Sequence, residues 1–177
     1  EHGINYAEKV WKIDTGKFVL SRLGVSNNVE LTYMERDYFV ICSCSGLIPL
    51  KRVHLIAEAL CSLKEIRIHW VHIGDGPELE KLRVVIGKFS KNISVELKGR
   101  MSNSAIYAFY DEIKPDLFVN VSSTEGVPVS IMEAMSFGIP VLATDVGGTS
   151  EIVNEKNGLL LTEDITSSDL SDTIISV

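Results

Sequence analysis

Residues 117–143 read LFVNVSSTEGVPVSIMEAMSFGIPVLA. An apolar run, Leu117–Val121, gives way to Ser122-Ser123-Thr124-Glu125-Gly126-Val127-Pro128 and then to a segment of helical period running to about Phe137. Gly138 follows, and a second apolar run, Ile139–Ala143, begins at once. Proline suits the first turn of a helix, where its missing N–H has no partner, and glycine suits the left-handed ending of one. The stretch therefore reads as strand, turn, helix and strand, the unit of a parallel sheet covered by helices.

The same alternation extends in both directions. Further β-rich runs are Tyr38–Cys44, Ile66–Ile73, Ile93–Leu97 and Gly158–Leu161. Several are nearly continuous in apolar character, as strands buried on both faces must be. Between them Val53, Ile56, Leu60 and Leu63 form one stripe, and Ile106, Phe109, Tyr110 and Ile113 another, at helical spacing. Pro77 is placed to open a helix through Leu79 and Leu82, Ser102 to cap the next, and Pro115 to stop it. Five or six βα units result, an α/β fold with a doubly wound parallel sheet and helices on both faces. Residues 1–37 are less regular, with local signals that support either a short helix or a loose linker, and read as a linker or inter-domain segment. Residues 38–177 read as the domain, truncated at its C-terminal end because the apolar-periodic segment Leu170, Ile174, Ile175, Val177 lacks a stop signal.

The chain of 177 residues holds one ordinary domain and not two. A net charge of −7 without a basic run argues against nucleic acid as a partner. No apolar stretch has the length of a membrane span and residues 1–14 lack signal-peptide order, so a cytoplasmic location is expected. Cys42, Cys44 and Cys61 have neither disulfide nor zinc spacing, and Cys42 and Cys44 share one strand face as core residues. His69 and His72, three apart on a strand, point to opposite faces and make no metal site.

Ligands of open parallel sheets collect beyond the carboxyl ends of the strands, so the polar segments after each run are the candidates. The amides at the start of the Pro128 helix, aided by its dipole, suit a diphosphate, and Gly126 permits close approach. Glu133 lies on that helix among Ile131, Met132, Ala134 and Met135; with Pro128 first, it sits about 7.5 Å along the axis. A carboxylate in such company needs donors, which a ribose or sugar diol supplies, although a solvated helical glutamate is the common alternative. After the first strand comes Ser45-Gly46-Leu47-Ile48-Pro49-Leu50-Lys51-Arg52. Lys51 is expected near a helix start, where a cation is unfavourable unless an anion or acid accompanies it. Asp145 to Glu151, with Gly147-Gly148, reads as a glycine-permitted turn or a wall of the phosphate site. Gly74-Asp75-Gly76-Pro77 lacks the third glycine of a dinucleotide fingerprint, which argues against nicotinamide binding.

Together these residues resemble the C-terminal, nucleotide-sugar-binding domain of retaining glycosyltransferases of family 4 (glycosyl transferases group 1), one half of a GT-B fold. The likeness runs from about Phe39 to Leu161. It is carried by Glu125, seven residues, Glu133, the Gly138-Ile-Pro140-Val that follows, Lys51-Arg52-Val53, Ile73-Gly-Asp-Gly76, Leu97-Lys-Gly99-Arg and Gly147-Gly148-Thr-Ser-Glu151-Ile. The resemblance implies that Glu125 contacts the donor sugar and is the catalytic residue, Glu133 the ribose and Lys51 the diphosphate. It implies that Gly126, Val127, Pro128 and Val129 cradle phosphate and sugar, while Gly99, Arg100 and Met101 border the base. Arg52 joins Lys51 as a candidate donor contact. Many relatives carry an arginine five residues ahead of the lysine; here that position is Gly46.

The resemblance further implies hexosyl-type transfer from a nucleotide-diphosphate sugar to an acceptor hydroxyl with retention, in polysaccharide or glycoconjugate biosynthesis, without cofactor or metal. Its partners would be the donor, an N-terminal GT-B domain and a saccharide or lipid-linked acceptor, with the full-length protein peripheral at the inner membrane face. This segment alone would bind donor without turnover. A non-catalytic interaction module and a sugar-nucleotide epimerase of the same architecture are the competing readings.

Overall fold

The computed structural model describes residues 2–19, 21, 23–26 and 34–177. Six strands, β1 (Phe39–Cys44), β2 (Ile68–Ile73), β3 (Ile93–Leu97), β4 (Leu117–Asn120), β5 (Val141–Thr144) and β6 (Gly158–Leu161), form one sheet in the order β3-β2-β1-β4-β5-β6. Every pairing is parallel. The helices are α1 (His2–Lys9), α2 (Val53–Ser62), α3 (Leu79–Ile86), α4 (Asn103–Ile113), α5 (Val129–Ser136) and α6 (Ser167–Ser176). This is the expected doubly wound, Rossmann-like architecture, and its order reverses between β1 and β4.

Alternation along the central strands splits the core into two layers. Ile41, Trp70, Leu117, Val119 and Leu142 face α2 and α6, whereas Cys42, Val71, Phe118, Val141 and Ala143 face α4 and α5. The edge strand β3 alternates buried and more exposed residues, as a strand with one neighbour does. Of the last apolar segment, Leu170 and Ile174 are buried while Ile175 and Val177 are exposed, so one i, i+4 pair holds α6.

Several expected boundaries hold for the expected reasons. The Ser102 side chain accepts from Ala105 N and caps α4, Lys114 ends it in a left-handed conformation before Pro115, and Gly138 takes φ 70° after α5. Others shift. Helix α3 begins at Leu79 rather than Pro77, because Glu78 N donates to Leu47 O at 3.1 Å and is drawn into a turn against the loop after β1. Strand β5 begins at Val141, since Pro140 has no N–H to offer the ladder. Lys51 does not open α2: it ends a separate 3₁₀ turn, Pro49–Lys51, and Arg52 at φ 47° breaks the chain before Val53. Within residues 1–37, α1 is the short helix; residues 1, 20, 22 and 27–33 lie outside the described residues. No helix of the described residues is long and apolar enough to cross a membrane.

Candidate functional site

The reversal between β1 and β4 leaves a crevice at the carboxyl ends of these two strands, where doubly wound sheets place their ligands. The loop after β1 carries Gly46 and Lys51; the loop after β4 carries Glu125 and leads into α5. Residues far apart in sequence therefore meet. Lys51 Nζ donates to Glu125 Oε1 at 2.6 Å, and Ser122 Oγ (2.6 Å) and Asn120 Nδ2 (3.1 Å) donate to the same oxygen. Burial alone would raise the Glu125 carboxyl pKa, but the hydrogen bonds from Lys51, Ser122 and Asn120 and the lysine charge outweigh it and hold the group below the ordinary value. The acid that accompanies Lys51 is thus Glu125.

The loop geometry is set by glycines packed backbone to backbone. Gly147, at φ 58°, lies so close to the Glu125 carbonyl that an added Cβ would fall 1.8 Å from its oxygen, and Gly148 N donates to Gly126 O at 2.7 Å. The Gly147-Gly148 turn is therefore a buttress for the Glu125 loop. On the other side Gly74 closes against Ser45 and donates to Gly99 O at 2.8 Å, tying the loops after β1, β2 and β3 together. Gly46 and Gly126 are exposed, and at Gly126 a Cβ would meet nothing within 4 Å.

Pro128 is the cap of α5 rather than its first residue, with φ −73° and ψ 106°. The first-turn amides of Val129, Ser130 and Ile131 have no backbone acceptor among the described residues, as helix starts leave them. Glu133, four residues past Val129 and so about 6 Å along the axis, is 7% exposed. Asn103 Nδ2, from the start of α4, donates to its Oε1. Cys44 closes the same corner: burial first, and then the Glu133 charge, push its thiol up to about 11. Arg100 is exposed and Met101 half-buried against the α4–α5 layer.

Arg52 stands apart. Its Nε donates to Val121 O (2.7 Å), Nη1 to Glu163 O (2.8 Å) and Nη2 to Ser122 O (3.3 Å). The guanidinium clamps the end of β4 and holds Arg52 in its left-handed conformation. Its charge is directed at carbonyls of this domain.

The sequence pattern described as glycosyl transferases group 1 matches residues 33–177, which contain every residue of this cleft. The chain belongs to the glycosyl transferases group 1 family. Among its relatives, this group 1 glycosyltransferase domain is 37% identical over 162 residues to the O-antigen biosynthesis glycosyltransferase WbnH of Escherichia coli, covering 90% of this chain and 43% of WbnH. It is 26% identical to Anabaena HepE solved in complex with UDP-glucose, with a TM-score of 0.65, covering 79% of this chain and 39% of HepE. The fold is also that of the lipopolysaccharide outer core galactosyltransferase WaaB in its apo form, at TM-score 0.75 and 23% identity, covering 92% of this chain and 46% of WaaB. The chain spans less than half the length of the curated relatives it matches.

Within this group 1 domain the structure brings Lys51 to Glu125, and Asn103 and Cys44 to Glu133. Sequence reasoning assigned no role to Asn120, Ser122 or Asn103. Asn120 had a signal, the one polar residue within the apolar run Leu117–Val121. Asn103 had none, because its contact is with another helix. A concavity of about 770 Å³ lies at the opposite, amino end of the strands, bordered by Arg36, Tyr38, Arg67 and Pro140, and holds no predicted site residue. No group of three or more His, Cys, Asp or Glu among the described residues could hold a metal.

Proposed function

We propose that this domain binds a nucleotide-diphosphate sugar and is the donor half of a retaining glycosyltransferase acting in polysaccharide or glycoconjugate biosynthesis. The observation that carries the proposal is the meeting of Lys51 and Glu125 across the β1/β4 crevice, at the mouth of the helix that bears Glu133. Lys51 and the α5 amides receive the diphosphate and offset the charge that develops on it as the glycosidic bond breaks, so the reading requires neither metal nor cofactor. Glu125 faces the sugar; Glu133 accepts from the ribose hydroxyls. Gly126, Val127 and Val129 line the phosphate, and Gly99, Arg100 and Met101 border the base. Arg52 supports this cleft from behind rather than binding donor.

The acceptor and the opposing face belong to an N-terminal domain of the full-length protein. A UDP-sugar is the first donor to try, since HepE binds UDP-glucose and is similar to this chain. A saccharide or lipid-linked hydroxyl is the acceptor class, and residues 38–177 alone bind donor without turnover.

Calorimetry of the full-length protein with UDP and GDP tests the reading. Binding that weakens about tenfold or more in Lys51→Ala, the loss of one charge-assisted hydrogen bond, supports it. Absence of any nucleotide-diphosphate binding would favour a non-catalytic interaction module, and an epimerised free sugar nucleotide as product would favour an epimerase.

A further inference from the structure

Glu133 is a buried carboxylate whose observed partner is a neutral amide. Asn103 Nδ2 donates to Glu133 Oε1 at 2.5 Å, reaching from the first residue of α4 across to the middle of α5. None of the ion pairs found among the described residues includes Glu133. A carboxylate offers about four lone-pair positions, and one amide hydrogen takes one of them. A lysine or arginine here would satisfy the charge and compete with any incoming hydroxyl; an asparagine orients the carboxylate and leaves its charge available.

We propose that Asn103 is the positioning residue for ribose recognition. It holds Glu133 in one rotamer so that the second carboxylate oxygen accepts from the ribose 2′-hydroxyl, and the site thereby selects ribonucleotides over 2′-deoxyribonucleotides. The inference rests on the donor-binding reading above. It concerns a residue on α4, whereas Glu125 lies on the loop after β4 and Glu133 on α5. Asn103 is exposed and its helix is capped independently by Ser102, so its replacement leaves the core untouched.

The test is calorimetry of the full-length protein with UDP and GDP, each beside its 2′-deoxy counterpart, for wild type, Asn103→Ala and the isosteric Asn103→Asp. Wild type is expected to prefer the ribonucleotide by about tenfold or more, the worth of a hydrogen bond to a charged acceptor. Both variants are expected to lose about fivefold or more in ribonucleotide affinity while 2′-deoxynucleotide affinity changes less than about twofold. Asn103→Asp should be the weaker binder, since it sets two carboxylates together. Equal weakening toward both sugars, or no change toward either, overturns the proposal. Lys51-dependent binding without sugar discrimination in wild type overturns it while leaving the donor reading intact. No nucleotide binding at all overturns both.

Discussion

Lys51 Nζ and Glu125 Oε1 lie 2.6 Å apart although 74 residues separate them in the chain. The pair joins the two loops that flank the point where strand order reverses, with side chains 23% and 10% exposed. In this half-buried setting neither partner can be removed without leaving the other under-satisfied.

The pair has a pH signature. Because the Glu125 carboxyl is held below its ordinary value, its stabilising contribution is complete above the unfolded glutamate pKa of about 4.3 and is lost as pH falls through the lower folded value. Lys51→Ala removes both a hydrogen bond and a charge that hold it down, so in this variant the folded carboxyl lies nearer its unfolded value and less stability is lost on acidification. Thermal melts from pH 6 to 3 should show it; identical acid limbs for wild type and variant would refute the coupling.

His72 predicts a second acid effect, in a higher window. It is fully buried, its Nδ1 paired with Ser43 Oγ at 2.9 Å while Ser43 also accepts from Trp70 Nε1 at 3.0 Å. Burial pushes its pKa down to about 4, against a smaller opposing pull from the Ser45 backbone. A histidine neutral in the fold but chargeable when unfolded stabilises fully above about pH 6.5, and stability falls as pH drops toward 4. The loss attributable to it is about 3 kcal/mol. Urea unfolding of His72→Asn, whose amide can still meet Ser43, should lose correspondingly less between pH 7 and 4.5.

Gly46→Arg should strengthen donor binding. A Cβ at Gly46 would meet the Asp75 carbonyl oxygen at 3.8 Å, an ordinary contact, and the backbone there is not left-handed. Stability is expected to change by less than about 0.5 kcal/mol. Affinity for nucleotide diphosphates should rise by about fivefold or more and fall back with salt, as an added phosphate contact would. Calorimetry at two salt concentrations decides; weaker or salt-independent binding counts against a phosphate at this loop.

Gly147→Ala should do the reverse. Its Cβ would sit 1.8 Å from Glu125 O at a φ of 58°, so the buttress must move and carry Glu125 with it. A cost of about 1–3 kcal/mol in stability is expected, with loss of nucleotide binding. Gly126→Ala, with open space at its Cβ, serves as the stability control in the same melts.

Much of the fold was legible because its signals are local. Largely apolar runs mark β1, β2 and β4, while Ser102, Pro115 and Gly138 mark helix ends by chemistry contained in a few residues. Misreadings arose where a distant group intervened. Pro77 failed to start α3 because Leu47 O holds Glu78 N, and Lys51 lies outside α2 because Arg52, braced by carbonyls beyond β4 and before α6, turns left-handed.

Hydrophobic periodicity and turn chemistry are properties of neighbouring residues, so the order of residues along the chain was enough to establish most strands and helices, the loop that carries Glu125 and the helix that carries Glu133. Partnership is a different quantity. That Lys51 meets Glu125, that Gly147 supports it, that Asn103 reaches Glu133 and that Arg52 turns to carbonyls all depend on β1 lying beside β4 and on which helices share a face of the sheet. Those juxtapositions come from burying both sheet faces at once, a long-range packing condition that no window of sequence contains.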